Sequence, residues 1–385
     1  MIKNVTILGG TGTIGDNMLS LLRLHPEKTN LFAVSAHKNI SKLSEIILEF
    51  CPAFAALEAL EENSELHGVC QKTGTKLLIG PEAISEVARM KVDLVVAAIV
   101  GMAGLPSMIS AVKAGQNIAL ANKESLVAAG HIVMPMLQEY DAHIIPVDSE
   151  HNAIFQCLMG QERKAVQKIT LTASGGPFLN HNLSQLAHVT PQDALAHPNW
   201  VMGAKVSIDS ATMMNKGLEL IEAAHLFQAM SCELEAIIHP QSLIHGMVEY
   251  IDGSVIAHIA SADMRLPLGF ALGLEKRLIT GTKQLNLLDI GQMTFREIDL
   301  DKYPCFAIAT QVIDSPAENA IIMNAANEIA VAAFLEGQLS FMQIAKVIDA
   351  TLNHGIDGKA NDLETVFSLD HLARQQAFDY VQSMS

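Results

Sequence analysis

At 385 residues and 50% hydrophobic content, the chain is long enough to bury a large core, and its length predicts two or three domains. A formal net charge of -16 disfavours binding to nucleic acid or to an anionic membrane surface, because both rely on clustered lysine and arginine. The expected partners are small molecules. A phosphorylated ligand then needs a local anion site built from backbone N–H groups, hydroxyls and a few cations.

The cysteines and the N-terminus bear on the cellular compartment. Five cysteines form no CxxC pair and are too scattered for a disulfide framework. The first residues enter a strand pattern without the apolar region of a signal peptide, and no apolar run approaches the length of a membrane span. We therefore expect a cytoplasmic protein with reduced thiols.

The first 148 residues alternate short apolar runs with helix-like stretches, which is the pattern of βαβ units. This pattern predicts an α/β fold whose N-terminal domain, residues 1–148, is a Rossmann-like parallel sheet that binds a dinucleotide. The predicted strands are 5–8, 31–34, 94–100, 117–120 and 143–147.

The rest of the chain changes pattern twice. Residues 149–285 mix strands with helices and predict a central α+β domain, residues 286–311 form a polar connector, and residues 312–385 predict a C-terminal domain of several short helices. The predicted strands of the central domain are 169–173, 236–238, 247–250 and 255–259.

A glycine-rich turn follows the first predicted strand. In the series Gly10-x-Gly12-x-x-Gly15, the glycines allow a tight turn and close approach to a pyrophosphate, and the following helix points its N-terminus at the negative charge. NAD-binding proteins usually place a carboxylate at the end of the second strand. Here His37, Lys38 and Asn39 stand there instead, which suits the 2′-phosphate of NADP. A solvated loop is the alternative.

An acidic segment follows the fifth predicted strand. Asp148, Ser149 and Glu150 stand where the chain leaves the sheet, and open α/β proteins build their sites at such strand ends. Two carboxylates on this turn can converge on a hard divalent metal such as Mg²⁺ or Mn²⁺. A helix cap formed by Asp148 or Ser149 explains the segment at least as well.

The stretch 207–219 resembles a strand end, a serine cap and a helix. Asn215, Lys216 and Glu219 then project together near a helix start, which favours anions. An exposed ion pair of Lys216 with Glu219 is the alternative. Gly217 within an otherwise strong helix indicates that close packing or function overrides helix propensity.

Other segments leave two interpretations open. Ser174-Gly175-Gly176-Pro177 follows a strand and suits an anion-binding nest, although a tight turn explains it nearly as well. Trp200 lies in a loop that is either a lid over the site or an anchor on the core.

Lys123 also follows a strand and could meet substrate or cofactor. His239 and His245 are expected to be buried or supporting residues.

Taken together, these segments resemble the 1-deoxy-D-xylulose 5-phosphate reductoisomerase family, nearly from end to end. The resemblance rests on seven motifs: Thr11-Gly12-Thr13-Ile14-Gly15, Ala121-Asn122-Lys123-Glu124, Val147-Asp148-Ser149-Glu150-His151, Ser174-Gly175-Gly176-Pro177-Phe178, His197-Pro198-Asn199-Trp200, Asp209-Ser210-Ala211-Thr212-Met213-Met214-Asn215-Lys216-Gly217 and Ile238-His239-Pro240-Gln241-Ser242.

The resemblance implies a homodimeric enzyme that rearranges and reduces 1-deoxy-D-xylulose 5-phosphate with NADPH and a divalent metal (Mg²⁺, Mn²⁺ or Co²⁺). It implies metal ligation by Asp148, Glu150 and Glu219, which with Lys123 are the catalytic candidates. The implied NADPH contacts are Thr11, Gly12, Thr13, Ile14, His37, Lys38, Asn39, Asn122, Glu124 and Gly203. The implied substrate contacts are Lys123, Ser149, Glu150, Ser174, His197, Ser210, Asn215, Lys216 and Glu219, with Trp200 on a flap.

The chain departs from the family pattern at a few positions, and none is an implied metal ligand. His37 stands where a small glycine is common, so its ring must turn away from the cofactor or join its site. The other departures are Gly10, Thr13, Val201, Gly246 and Ala262.

Two other functions compete with this hypothesis. One is a metal-independent NADP-linked dehydrogenase in which the acidic segment only caps a helix. The other is a dinucleotide-binding redox regulator without turnover.

Overall fold

Two units make up the fold, each assembled from separate stretches of the chain. The computed structural model describes residues 2–60, 63–196, 200, 202–274 and 276–384. The first unit comprises Met1–Ser125, Val133–Asn152 and Asp263–Lys283, and the second comprises Leu126–Ile132, Ala153–Ala262 and Gln284–Ser385. Among the described residues, no helix combines the length and apolar character that a bilayer crossing requires.

The first unit contains a parallel sheet of seven strands. They are β1 (Lys3–Leu8), β2 (Thr29–Ala36), β3 (Phe54–Leu57), β4 (Lys76–Ile79), β5 (Leu94–Ala97), β6 (Asn117–Leu120) and β7 (His143–Pro146). Their order across the sheet is β4-β3-β2-β1-β5-β6-β7. The order in which strands are added to the sheet therefore reverses between β1 and β5. The carboxyl ends of these two strands frame the crevice in which open α/β sheets bind ligands.

The second unit contains a mixed sheet of four strands. They are β8 (Val166–Ala173), β9 (Leu234–Ile238), β10 (Ile244–Tyr250) and β11 (Val255–Ile259), in the order β11-β10-β8-β9. Strand β10 is antiparallel to both of its neighbours, whereas β8 and β9 are parallel. Strand β11 is therefore one edge of the sheet.

Helices make up most of the remaining structure. In chain order they are α1 (Thr13–Leu24), α2 (Ile40–Phe50), α3 (Ser64–Thr73), α4 (Ala83–Arg89), α5 (Leu105–Lys113), α6 (Lys123–Glu139), α7 (Ser149–Leu158), α8 (Leu183–Leu186), α9 (Pro191–Leu195), α10 (Ala204–Ala211), α11 (Met214–Phe227), α12 (Arg265–Gly273), α13 (Leu287–Ile290), α14 (Pro304–Val312), α15 (Ala317–Leu335), α16 (Phe341–His354) and α17 (Leu363–Met384).

The predicted fold class is confirmed: a Rossmann-like parallel sheet, a central α+β region and C-terminal helices. Two local predictions are wrong. The strand predicted over residues 94–100 is β5, which ends at Ala97 because the chain turns away there and Val100 is exposed. The start of the stretch 207–219 is not a strand end but part of α10. It is followed by α11, and Met213 between them adopts φ +60°.

The predicted division at 148, 285 and 311 stays a prediction. Residues 263–283, assigned from the sequence to the central domain, associate here with the first sheet. The Lys3 ammonium group donates a hydrogen bond to the Leu272 carbonyl at 2.8 Å, and the His25 ring bonds the Ile279 carbonyl at 2.7 Å. These contacts join segments that are more than 250 residues apart, so local sequence patterns do not reveal them.

Apolar packing in the second unit joins its helices into one core. The cluster includes side chains from α10, α11 and α14–α17, among them Ile208, Leu218, Ala309, Met323 and Phe341. A second cluster packs beneath the four-stranded sheet and includes Tyr303 from the start of the C-terminal helices. The C-terminal helices are therefore packed directly against α10 and α11.

His225 on α11 gives this core a pH dependence. A Cβ on Gly130 would lie 2.5 Å from the His225 ring, so the imidazole packs against α6. Burial, with a smaller effect of His131, lowers the pKa of His225 to about 4. The unfolded chain takes up a proton near its ordinary pKa of about 6.5, whereas the folded protein does not, so stability falls as the pH drops from 6.5 towards 4.

We expect His225→Gln to remove this part of the pH dependence. Relative to the variant, the wild-type protein should lose up to about 3 kcal/mol of unfolding free energy between pH 7 and pH 4. Urea unfolding across this range measures the difference, and above pH 7.5 the offset between the two proteins should be constant. Parallel stability curves down to pH 4 would contradict this assignment.

Candidate active site

The glycine-rich turn after β1 is shaped by close packing. A Cβ on Gly10 would lie 2.3 Å from Val34 Cγ2, and a Cβ on Gly15 would lie 2.4 Å from the Gly10 carbonyl oxygen. A Cβ on Gly12 would meet nothing closer than 3.5 Å. Gly12 is the N-cap residue of α1 and makes no side-chain cap. The turn therefore leaves the first N–H groups of α1, from Thr13 onward, available to an anion.

The end of β2 carries the residues implied to meet the adenosine end of the cofactor. The His37 ring turns towards the Glu58 carboxylate, with 2.9 Å between Nδ1 and Oε2. Asn39 caps α2 by accepting a hydrogen bond from the Lys42 backbone, and Lys38 is exposed. The fold therefore brings the Glu58 carboxylate, which follows β3, to the end of β2. The residues that directly follow β2, His37, Lys38 and Asn39, include no carboxylate.

Asn122 and Glu124 form a buried network at the start of α6. Asn122 donates to the Gly101 carbonyl at 3.0 Å and to the Glu124 carboxylate at 3.1 Å, and it accepts a hydrogen bond from the Ser125 hydroxyl. Asn122 is 2% exposed and Glu124 is 4% exposed. The network ties the segment after β5 to the segment after β6, beside the predicted dinucleotide crevice.

Asp148 lies between β7 and α7 and forms an ion pair with Lys123. The ring of His151 is fully buried, and one of its nitrogens lies within 4.8 Å of an Asp148 carboxylate oxygen. Glu150 lies in the first turn of α7 and accepts a hydrogen bond from Ser149 at 2.5 Å. Carboxylate oxygens are the ligands that Mg²⁺ and Mn²⁺ prefer, so Asp148 and Glu150 fit a divalent metal of this kind.

The second group of polar residues lies on α11. Lys216 and Glu219 form an ion pair whose side chains are only 3% and 1% exposed. Asn215 donates to the other oxygen of the Glu219 carboxylate. The alternative of an exposed surface pair is therefore wrong. Burying two charges is costly unless each has a close partner, and here a cation and an amide both bond one carboxylate.

The loop that carries Ser174 packs against the end of α10. Gly176 adopts φ +67°, and a Cβ there would lie 2.7 Å from the Ser210 carbonyl oxygen. The Gly176 N–H donates to the Ser174 hydroxyl at 3.1 Å. Ser174 and Ser210 are therefore held on neighbouring backbone segments, and Asn215 and Lys216 follow Ser210 on the next helix.

Trp200 and the flap residues are described only in part. The Trp200 ring lies 6.2 Å from the buried His245 ring of β10, between centroids. His239 is also fully buried and bonds the Thr294 carbonyl at 2.9 Å, as expected for a supporting residue. Gly203 is the N-cap residue of α10. His197, a predicted substrate contact, lies outside the described residues.

Sequence reasoning missed several buried polar residues. His151, which is fully buried, is not among the predicted site residues, and neither is Glu222, which is 2% exposed. Its position one turn beyond Glu219 on the same helix face was the available signal. Asp209, 1% exposed, was also passed over, although it directly precedes Ser210.

Comparison with known families matches most of the chain. A family model described as 1-deoxy-D-xylulose 5-phosphate reductoisomerase matches residues 5–130. Two further models, described as 1-deoxy-D-xylulose 5-phosphate reductoisomerase C-terminal domain and DXP reductoisomerase C-terminal domain, match residues 144–227 and 259–376.

Full-length relatives carry the same name. The 1-deoxy-D-xylulose 5-phosphate reductoisomerase of Zymomonas mobilis is 43% identical, over 99% of this chain and 98% of the relative. That of Paraburkholderia phytofirmans is 45% identical, over 99% of this chain and 96% of the relative.

Solved structures are similarly close. The Zymomonas mobilis enzyme in complex with NADPH matches with a TM-score of 0.93 and 42% identity, covering 100% of both chains. A structure of DOX-P reductoisomerase in complex with NADPH, fosmidomycin and magnesium matches with a TM-score of 0.94 and 38% identity, covering 99% of this chain and 98% of that chain.

The packing of α11 makes a testable prediction about Gly217. A Cβ on Gly217 would lie 2.3 Å from the Cβ of Ala309 on α14, so Gly217→Ala should destabilise the fold by about 1–3 kcal/mol through overpacking. Ala309→Gly alone should cost about 1 kcal/mol. The double variant Gly217→Ala/Ala309→Gly should be more stable than the sum of the single effects predicts. If the changes in unfolding free energy of the two single variants, measured by urea unfolding, add up to that of the double variant, the two positions do not compete for space.

Proposed function

The chain belongs to the 1-deoxy-D-xylulose 5-phosphate reductoisomerase family, and on this premise we propose that it converts 1-deoxy-D-xylulose 5-phosphate to 2-C-methyl-D-erythritol 4-phosphate. It is an NADP-dependent oxidoreductase, and its cofactors are NADPH and a divalent metal ion. The observation that carries this conclusion is the 43% identity to a named reductoisomerase over 99% of the chain. The product supplies the non-mevalonate route to isoprenoids.

Asp148, Glu150 and Glu219 are the proposed metal ligands. Support comes from the position of Asp148 between β7 and α7, from that of Glu150 in the first turn of α7, and from the burial of Glu219 on α11. When bound, the metal supplies Lewis-acid chemistry at the substrate ketone and a neighbouring hydroxyl. Lys123 forms an ion pair with Asp148 that balances its negative charge, and Lys123 is also proposed to orient the substrate.

The phosphate group of the substrate is proposed to lie among Ser174, Ser210, Asn215 and Lys216. Lys216 supplies the positive charge, and the hydroxyl and amide groups supply donors. Ser149 and His197 complete the proposed substrate contacts. Holding the remote phosphate orients the reacting end of the substrate, and Trp200 on the closing flap excludes water from it.

NADPH is proposed to bind along the crevice between β1 and β5. The N–H groups at the N-terminus of α1 would hold its pyrophosphate, and the segment that follows β2 would hold its adenosine end. The proposed contacts are Thr11, Gly12, Thr13, Ile14, His37, Lys38, Asn39, Asn122, Glu124 and Gly203. When bound there, NADPH would supply the hydride that reduces the rearranged, branched aldehyde.

A cytoplasmic homodimer is also proposed. The edge strand β11 supports it, because Val255, Ile256 and Ile259 are 56%, 38% and 40% exposed. An unpaired apolar edge strand is a liability unless another surface covers it. The five free cysteines suit a reducing compartment.

A turnover assay tests the proposed function. NADPH oxidation is followed with 1-deoxy-D-xylulose 5-phosphate, then after chelation and after Mg²⁺ is restored. Substrate-dependent oxidation that stops on chelation and returns with Mg²⁺ is expected. Oxidation that survives chelation would favour a metal-independent dehydrogenase, and NADPH binding without turnover would favour a regulator.

Replacing Lys216 tests the phosphate contact. Lys216→Ala should raise the KM for 1-deoxy-D-xylulose 5-phosphate by about 10–100-fold, because a charged hydrogen bond to the phosphate is lost. NADPH affinity should stay unchanged. Lys168→Ala, which removes a lysine paired with Glu235 on the surface, is the matched control and should keep the wild-type KM. An unaltered KM in the Lys216 variant would remove Lys216 from the phosphate site.

A further inference from the structure

Asn327 on α15 is a buried amide that is not part of the proposed substrate contacts. It is fully buried, and its Nδ2 donates to Asp209 Oδ1 at 2.8 Å. Because a carboxylate only accepts, the amide must present its NH₂ group to Asp209. Within the described part of the chain, the other amide atom, Oδ1, has no hydrogen-bond partner. Burying an amide costs free energy unless its polar atoms form hydrogen bonds. The hydrogen bond to Asp209 is therefore the interaction through which the Asn327 side chain acts.

Asp209 is in turn held from two sides. Its Oδ2 lies 2.9 Å from the Lys205 ammonium group, while its Oδ1 accepts from Asn327. Asp209 is in the last turn of α10 and directly precedes Ser210. The short turn through Met213 then leads into α11, which carries Lys216. Fixing the Asp209 carboxylate therefore fixes the backbone from which Ser210 projects.

Tyr303 holds the neighbouring loop in a similar way. Its hydroxyl donates to the Gly175 carbonyl at 3.1 Å, and the residue is 2% exposed. Burial raises the pKa of Tyr303 to about 12, so the hydroxyl stays a neutral donor at physiological pH. Gly175 directly follows Ser174. The hydrogen bond therefore fixes the loop that presents the Ser174 hydroxyl.

We propose that Tyr303 and Asn327 are positioning residues of the phosphate site: each uses one buried hydrogen bond to hold a backbone segment that presents a phosphate-binding serine. The inference rests on the proposed function, since it needs the phosphate to lie between Ser174 and Ser210. Both residues come from the C-terminal part of the chain. The C-terminal helices thereby act on substrate affinity without touching the substrate.

Two variants with matched controls test this role. Tyr303→Phe and Asn327→Ala each remove one of the positioning hydrogen bonds. Tyr250→Phe removes an equally buried hydroxyl that donates to the Cys157 carbonyl at 2.8 Å. Asn324→Ala removes a fully buried amide one turn earlier on α15, whose partner is Glu328 at 3.2 Å. The controls impose similar packing losses away from the phosphate site.

The expected effect is on phosphate affinity. Tyr303→Phe and Asn327→Ala should raise the KM for 1-deoxy-D-xylulose 5-phosphate by about 5–20-fold, because a misplacement near 1 Å weakens oriented contacts. They should raise the inhibition constant of inorganic phosphate, competitive with substrate, by a similar factor. The kcat should change less than about threefold, and the Kd of NADPH should stay constant. The two control variants should keep wild-type values.

The outcomes separate cleanly. Unchanged KM and phosphate inhibition in Tyr303→Phe, which preserves the ring and its packing, would overturn the proposal even if Asn327→Ala failed to fold. Equal shifts in the control variants would also overturn it, since they would indicate general loosening. If the wild-type enzyme did not oxidise NADPH with this substrate, the proposed function itself would fail, and this inference with it. Normal wild-type turnover with unshifted variants overturns only this inference.

Discussion

In each unit, one carboxylate that is proposed to bind the metal forms an ion pair with a lysine. Lys123 pairs with Asp148 in the first unit, and Lys216 pairs with Glu219 in the second. In a chain with 41 acidic and 25 basic residues, these two lysines offset the negative charge of carboxylates among the proposed substrate and metal contacts, and Lys216 supplies the cation of the proposed phosphate site. The Lys216–Glu219 pair is buried, so each of its charges compensates part of the cost of burying the other.

Close backbone packing provides the second constraint. Gly15 allows α1 to start against the Gly10 carbonyl, and Gly176 lets the Ser174 loop lie against Ser210. Gly217 brings α11 against α14. Each glycine removes a side chain at a point where two segments meet, so the polar groups beside it are set by rigid packing. A rigid support is what precise contacts to a small ligand require.

Much of the fold was predictable, because its signals are local. The strand, glycine turn and helix that begin with Val5 follow from periodicity and turn chemistry. Strands β3 and β4 are not predictable in this way, because their short runs, FAAL and KLLI, are rich in alanine and leucine, which also favour helices. The stretch from Ser207 was assigned to a strand end because its helix lies next to a left-handed turn at Met213, which no local pattern reveals. Distant contacts, such as Glu58 beside His37, depend on the folded sheet.

For the site, spacing alone leaves Asp148 and Glu150 balanced against a helix cap, and the resemblance to the family favours the metal site, which stays a proposal. A crystal of the protein with Mn²⁺, measured for anomalous scattering, tests the proposed metal site most directly. The account predicts one manganese ion with carboxylate oxygens of Asp148, Glu150 and Glu219 among its ligands. A manganese ion bound in the protein without Glu150 or Glu219 among its ligands would contradict the account.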